Sequence, residues 1–347
     1  MGKEILELSR DEKEHALELY RESIVIDCHL DSVLTDEYIK QMTSSGETAV
    51  NLDAGSFESL AEKRSLIKEN PETFMGPVIQ VSDIIKAKKE GRIAVFLGSE
   101  DAGTLLNASE GNLHLNYLEP FFELGLKIVQ PCYNDRNLFA SGSGEIQDYG
   151  LSETGRMLIE EMNKLNMIVD CSHVSKKTTL EVCERADSVV STHSNSYTIC
   201  KNPRNRTDEE IRAIAEKDGV LGMVSFPTFV KWTNTGENLW PTIEDLLDHV
   251  DYIDEIVGVE HVGIGLDLVE GTDILGPITQ GEGLSRWPNL YGNPNKKGLY
   301  KYAKGLRTIT DLQNIALGLV SRGYSDNDVK GVLGLNWIRI FKKCWGN

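Results

Sequence analysis

Seven short apolar runs, each followed by a polar cluster and then by a segment of helical periodicity, constrain this chain more than any single residue does. They are IVID at 24–27, RIAVFLG at 92–98, LKIVQPC at 126–132, MIVDCS at 167–172, SVVST at 188–192, GVLGMVSF at 219–226 and HVGIGL at 261–266. Near-continuous Val, Ile and Leu of this length suits strands buried on both faces. Helical patterns lie between them, such as LSETGRMLIEEMNKL at 151–165, opened by Ser152. Another, DEEIRAIAEK, begins at Asp208 with its acids in the first turn, where the helix dipole favours them. Strands alternating with helices mean βαβ units and a parallel sheet.

A chain of 347 residues accommodates one (β/α)8 barrel of about 250 residues with insertions. The eighth strand is expected within 48–80, where TAVNLDAGSFESLAEK is too polar to assign, so a doubly wound sheet competes with the barrel. No internal repeat divides the sequence. Residues 1–347 therefore read as a single domain, with an N-terminal helix within 1–22 and a long loop, WPNLYGNPNKKGLY, centred on 287–300. So long a loop in a compact domain is more often a lid or an interface than a linker.

Composition excludes several partners. A net charge of −18 and a pI near 4.9, with no long basic run, argue against nucleic acid or an anionic membrane. The six cysteines, at 28, 132, 171, 183, 200 and 344, form no CxxC pair and read as free thiols in a reducing compartment. The N-terminal MGKEILELSRDEKEHALELYRES lacks the apolar centre of a signal peptide, and Leu6 breaks the Gly2 myristoylation pattern. A cytoplasmic protein is the expectation.

Polar residues just past strands are usually solvated loop, but here their kinds repeat. His29 and Asp31 follow IVID, Glu100 follows IAVFLG, Tyr133 and Asn134 follow KIVQPC, His173 follows IVDCS, His193 follows VVST and Asp267 follows VGIGL. In a parallel barrel those ends converge on one mouth. The other four histidines are set apart: His15 and His249 lie in helical patterns, His114 at a polar helix start, and His261 at the opposite end of a strand. Three imidazoles with Asp31 and Glu100, and no thiolate, suit catalytic zinc or another borderline divalent ion. Five ligands exceed what one open zinc takes, so two ions about 3.5–4 Å apart, bridged by a carboxylate and a hydroxide, are the natural division.

Three segments then carry a resemblance. GLSETGRMLIEEMNKLNMIVDCSHVS (150–175), STHSNSYTICKNPRN (191–205) and DVKGVLGLNWIRIF (328–341) resemble, in this order, the membrane dipeptidases. These are the renal-dipeptidase-like enzymes of peptidase family M19, within the metal-dependent amidohydrolase superfamily of (β/α)8 barrels. The likeness runs from about Ile24 to Phe341. It implies a dinuclear zinc dipeptidase that attacks its small-molecule dipeptide substrate with a metal-bridging hydroxide. His29 and Asp31 would hold one zinc, His173 and His193 the other, and Glu100 would bridge them. Arg204 would anchor the substrate carboxylate, and Asp267 would be the catalytic acid and base. The chain departs from the pattern in three places. Tyr133 stands where the kidney-type enzyme has a substrate-contacting histidine, Val269 replaces a second acid after Asp267, and 48–80 lacks the usual glycine-rich form. A phenol at 133 can still donate a hydrogen bond to a developing oxyanion. Two alternatives stay open: a related zinc hydrolase of a non-peptide amide, lactam or ester, and a barrel without catalysis that serves as a binding protein. The long loop and the resemblance also allow a homodimer.

Overall fold

The computed structural model describes residues 4–108, 113–231, 240–270, 286–291 and 302–347. Its strands are β1 (Ile26–Leu30), β2 (Ala49–Asp53), β3 (Phe74–Met75), β4 (Ile93–Ser99), β5 (Leu126–Val129), β6 (Ile168–Asp170), β7 (Val189–Val190), β8 (Leu221–Met223) and β9 (Val262–Ile264). All pair in parallel in the order β7-β6-β5-β4-β2-β1-β9-β8, while the two-residue β3 pairs with the start of β4 off this path. A parallel bridge from Ser191 to Leu221 joins the end of β7 to β8 and completes the circuit. The fold is a (β/α)8 barrel.

The strand missing from the apolar pattern is β2, which lies inside the segment 48–80. Its register with β4 is regular, from Ala49 opposite Ala94 to Asp53 opposite Gly98. The sequence hides it because Asn51 is polar yet only 3% exposed. Its side-chain NH2 donates to the Cys28 carbonyl at 2.9 Å, which satisfies the donor half of the buried amide. The doubly wound alternative falls with this strand.

Two apolar layers hold the barrel. The inner one gathers Ile26, Cys28, Ala49, Ala94, Phe96, Ile128, Ile168, Val190 and Val220 around Trp337 of the helix Asn336–Trp345. The outer one packs residues such as Val50, Leu52, Val95 and Leu97 against the helices. The helices at 153–164 and 208–216 form where their caps predict, with Ser152 accepting from Gly155 N–H and Thr207 in a capping box with Glu210. No helix among the described residues is long and apolar enough to cross a membrane. All six cysteines are free. Of the 287–300 loop, the short helix Pro288–Tyr291 is described, and 292–300 lie outside the described residues.

Two glycines set how closely the strands approach His193. A Cβ on Gly222 would sit 1.9 Å from the Thr192 carbonyl oxygen, and one on Gly265 only 1.7 Å from it. Backbone cannot yield as a flexible side chain would. Gly265→Ala is therefore expected to lower stability by about 1–3 kcal/mol in chemical denaturation, as overpacking of a filled core does. Unchanged stability would show that β9 is free to move away from Thr192.

Candidate metal centre

His29, near the end of β1, and side chains that follow other strands meet in one cluster. His29 Nε2 lies 3.3 Å from Glu100 Oε1, His173 Nε2 3.1 Å and His193 Nε2 3.4 Å from the same oxygen. His173 Nε2 and His193 Nε2 are 2.9 Å apart. His29 stacks on His193 with ring centroids 4.0 Å apart. One nitrogen of each of His29 and His193, with an oxygen of Glu100, lie within 4.8 Å of one another, the spacing of a metal-donor group.

Hydrogen bonds behind the rings fix which nitrogens face inward. His173 Nδ1 is 2.9 Å from Asn134 Oδ1, an oxygen that can only accept, so Nδ1 carries the proton and Nε2 presents a lone pair. His193 Nδ1 is 2.8 Å from Thr192 Oγ1, whose own hydrogen goes to Asp170 Oδ2 at 2.5 Å. That leaves Thr192 to accept from Nδ1–H, and His193 Nε2 also presents a lone pair. Two lone pairs 2.9 Å apart in a buried site repel each other unless positive charge lies between or beside them. The donors fit a borderline divalent cation, and the carboxylate–hydroxyl–imidazole support is what metal-binding histidines ordinarily receive.

Asp170 is the residue that sequence reasoning overlooked. Its Oδ1 accepts from Ser172 N–H, Ser172 Oγ–H and Thr192 N–H, so one buried carboxylate ties together the two strands that carry His173 and His193. Its signal was present as the acid in IVDCSH. Asp53, at the end of β2, was missed with its strand; its Oδ1 accepts the Glu100 N–H at 3.0 Å.

Burial, with the nearby Arg204 charge behind it, pushes His29 down to about 3. Burial likewise holds His173 and His193 well below the usual imidazole range. Burial thus favours the neutral form of all three imidazoles. Glu100 is raised well above the carboxylate range by burial, then by Asp53, Asp31 and Asp267. Asp31 and His173 are not in the three-residue group of His29, Glu100 and His193, but Asp31's charge raises Glu100 and Asp267, and burial, then Asp53, raises its own carboxyl to about 6.

Asp267 occupies the far side, with an oxygen 3.7 Å from His29 Nε2. It adopts a left-handed backbone, φ 56°, uncommon outside glycine. Its N–H donates to the His29 carbonyl, and its own carbonyl accepts from Tyr302 O–H at 2.8 Å. Burial, then Asp31, raises its carboxyl to about 8, against the opposing pull of Arg204.

Arg204 is fully buried. Its Nη2 lies 3.2 Å from His173 Nε2 and 3.3 Å from the His193 carbonyl, and Phe229 lies under the guanidinium at 5.1 Å. Among the described residues, its Nε and Nη1 have no hydrogen-bond partner. The loop that carries it is stapled by Arg206, whose guanidinium pairs with buried Glu210 at 2.9 Å and donates to the Arg204 carbonyl. Tyr133 stacks on His173 at 4.0 Å, and its hydroxyl lies 3.3 Å from that of Tyr291.

The model of the membrane dipeptidases, peptidase family M19, matches residues 56–291, a span that holds Glu100, Tyr133, His173, His193, Arg204 and Asp267 but begins after His29 and Asp31. A Pseudomonas aeruginosa protein described as an amidohydrolase is 31% identical, with a TM-score of 0.83 over 96% of this chain and 99% of its own. The dipeptidase tcpJ of Claviceps purpurea is 26% identical over 267 residues, 76% of this chain and 54% of that protein. The chain thus spans little more than half of that curated relative. A metallo peptidase of Rhodobacter sphaeroides, solved with a phosphinate mimic of the dipeptide L-Ala-D-Ala, shares the fold at 18% identity, with a TM-score of 0.73 over 93% of this chain and 100% of its own.

The carboxyl of Asp267 gives a pH test. Its folded pKa near 8 exceeds the ordinary 3.8, so it contributes stability below about 3.8 that is lost as pH rises through 8. In chelator-treated protein, the thermal stability of Asp267→Asn should therefore gain on wild type from pH 4 to pH 8 and then level. A difference that stays flat with pH would contradict the raised carboxyl.

Proposed function

Because this chain belongs to the membrane dipeptidase family, peptidase family M19, we propose that it is a metal-dependent dipeptidase that hydrolyses small, carboxylate-bearing dipeptides. The observation that carries the reading is Arg204. A buried guanidinium with two unpartnered nitrogens beside a metal-type donor group is costly unless a substrate anion completes it. A terminal carboxylate is an anion that such unpaired cationic N–H donors can receive.

In this reading His29 and Asp31 would hold one divalent ion and His173 and His193 a second, with Glu100 near both. Two zinc ions bound there would supply Lewis acidity and a water ionised near neutral pH. The chain's own residues supply the rest. Arg204 fixes the carboxylate end of the substrate, which sets the scissile carbonyl beside the histidines. Asp267, 3.7 Å from His29 Nε2, would take a proton from the attacking water and return it to the leaving amine, in the ionised form that bound cations would favour by opposing the burial and the Asp31 charge that raise its carboxyl. Tyr133 offers its phenol to the carbonyl oxygen as charge develops there. Burial of the three imidazoles keeps them unprotonated and available as ligands.

The replacement of a histidine by Tyr133 favours a second reading, hydrolysis of a non-peptide amide such as an N-acyl amino acid, at the same centre. A panel of free dipeptides, their C-terminal amides and N-acyl amino acids, assayed with metal-loaded protein, separates the two. Free dipeptides should be cleaved, and their C-terminal amides at least ~10-fold more slowly, since Arg204 then lacks its anion. Amides cleaved as fast as acids would overturn the role of Arg204.

Two substitutions divide binding from chemistry. Arg204→Lys is expected to raise KM by roughly 10- to 100-fold with a smaller change in kcat, since lysine keeps fewer N–H donors. Asp267→Asn should lower kcat by about 100-fold or more with KM little changed. The reverse pattern in steady-state kinetics would exchange the two roles.

A further inference from the structure

Arg206 is only 1% exposed, and its guanidinium reaches two loops that follow different strands, β6 and β7. Nη1 lies 3.1 Å from the Cys171 carbonyl and 3.0 Å from the Val174 carbonyl, which stand on either side of His173. The same nitrogen is 3.0 Å from Thr179 Oγ1 and 2.9 Å from Glu210 Oε1, so its two hydrogens are shared among four acceptors. Nη2 faces the other loop, 3.1 Å from the Arg204 carbonyl and 3.4 Å from that of Pro203, the two carbonyls that flank the Arg204 Cα.

Little else joins these segments. Among the described residues, no backbone hydrogen bond runs between 171–174 and 203–206. The side chains of Arg204 and His173 meet at 3.2 Å, but through His173 Nε2, the nitrogen that an ion would take. That nitrogen has one lone pair, so the contact and ligation exclude one another. The bonds of Arg206 end on backbone carbonyls and are compatible with a loaded centre. Stability alone is a poor reason for the residue, because desolvation offsets much of the attraction in a buried ion pair. Glu210, 2% exposed, answers the charge and is itself fixed by Thr207, whose N–H and O–H both donate to Oε2 at 2.8 Å. The remaining reach of the planar guanidinium is spent on the two loops, which the single ammonium of a lysine could not span.

We propose that Arg206 is a positioning residue that yokes the backbone on both sides of His173 to the Arg204 peptide, so that metal binding and carboxylate binding depend on one guanidinium. This rests on the dipeptidase reading and deepens it. Neither the ion nor the substrate touches Arg206. Its effect on both passes through the placement of His173 and Arg204.

The test compares wild type with Arg206→Lys, by zinc affinity in competition with a chelator, by the affinity of a phosphinate dipeptide mimic for zinc-loaded protein, and by kinetics on a cleaved dipeptide. Arg322→Lys, which weakens an ion cluster with Glu244, Asp248 and Asp251 that includes neither loop, is the stability control. Arg206→Lys should weaken zinc binding by roughly 10-fold or more, as loss of support behind a metal ligand does. Phosphinate affinity should fall and KM should rise by about 10-fold, with kcat at saturating zinc within about threefold. The control should keep wild-type zinc and phosphinate affinities at a lowered Tm. Wild-type affinities in Arg206→Lys would overturn the proposal, as would loss of one affinity without the other, since the yoke serves both. Equal losses in Arg322→Lys would overturn it by tracing them to global stability. Should Arg206→Lys not fold, the paired variant Arg206→Gln with Glu210→Gln, which leaves no unpaired buried charge, carries the same expectations. A wild type that binds zinc and the mimic but cleaves no dipeptide would contradict the dipeptidase reading alone, and the two affinities would still decide the role of Arg206.

Discussion

The rest of the structure depends on one electrostatic demand: buried imidazole lone pairs and a carboxylate oxygen converge within hydrogen-bond distance of one another. Neutral donors pressed together in a low-dielectric interior are stable only when a cation or a donor answers them. The surrounding hydrogen bonds leave the rings no escape. Asn134 holds the Nδ1 proton of His173, and Thr192, backed by Asp170, holds that of His193, so neither ring can turn its proton inward without breaking a buried bond. The barrel exists in a form that keeps these rings close, down to the glycines that let β8 and β9 approach Thr192.

The same demand links the metal-type donors to substrate recognition. Arg204 contributes to holding the histidines neutral, and Asp267 feels its charge in the opposite sense. Its guanidinium is held through Nη2 near His173 Nε2 and the His193 carbonyl and lies over Phe229, while Arg206, paired with Glu210, braces the loop through the Arg204 carbonyl. Tyr133, Tyr291 and Trp287 form an aromatic wall over His173, with Trp287 edge-on to Tyr133 at 5.7 Å. Trp287 is anchored in turn by its N–H to Asp135. In the proposed reading, a cation, an acid and a phenol would meet the substrate from segments that follow different strands.

Much of this was legible in the sequence because a parallel barrel writes its site at regular places. Seven strands showed as apolar runs, and His29, Glu100, His173, His193 and Asp267 are brought together by being the residues just beyond them. What escaped notice had a common cause: burial of polar groups whose partners are distant in sequence. β2 was masked by Asn51, whose NH2 donates to a carbonyl 23 residues away. Asp170 looked like part of a strand, since nothing local reveals that its carboxylate spans to Thr192. Tyr291 lies 157 residues from the amide it touches. Asp31, expected among the ligands, is not in the compact group of His29, Glu100 and His193, although its charge acts on both Glu100 and Asp267.

The central claim is that this cluster of buried donors is a metal centre, and elemental analysis of zinc per chain in wild type and Glu100→Gln tests it most directly. Glutamine keeps the size of the side chain and removes the charge shared by the three histidines. The account predicts about two zinc ions in wild type and loss of at least one in the variant, with the fold intact by circular dichroism. A folded wild type that retains no divalent metal after dialysis against zinc would contradict it.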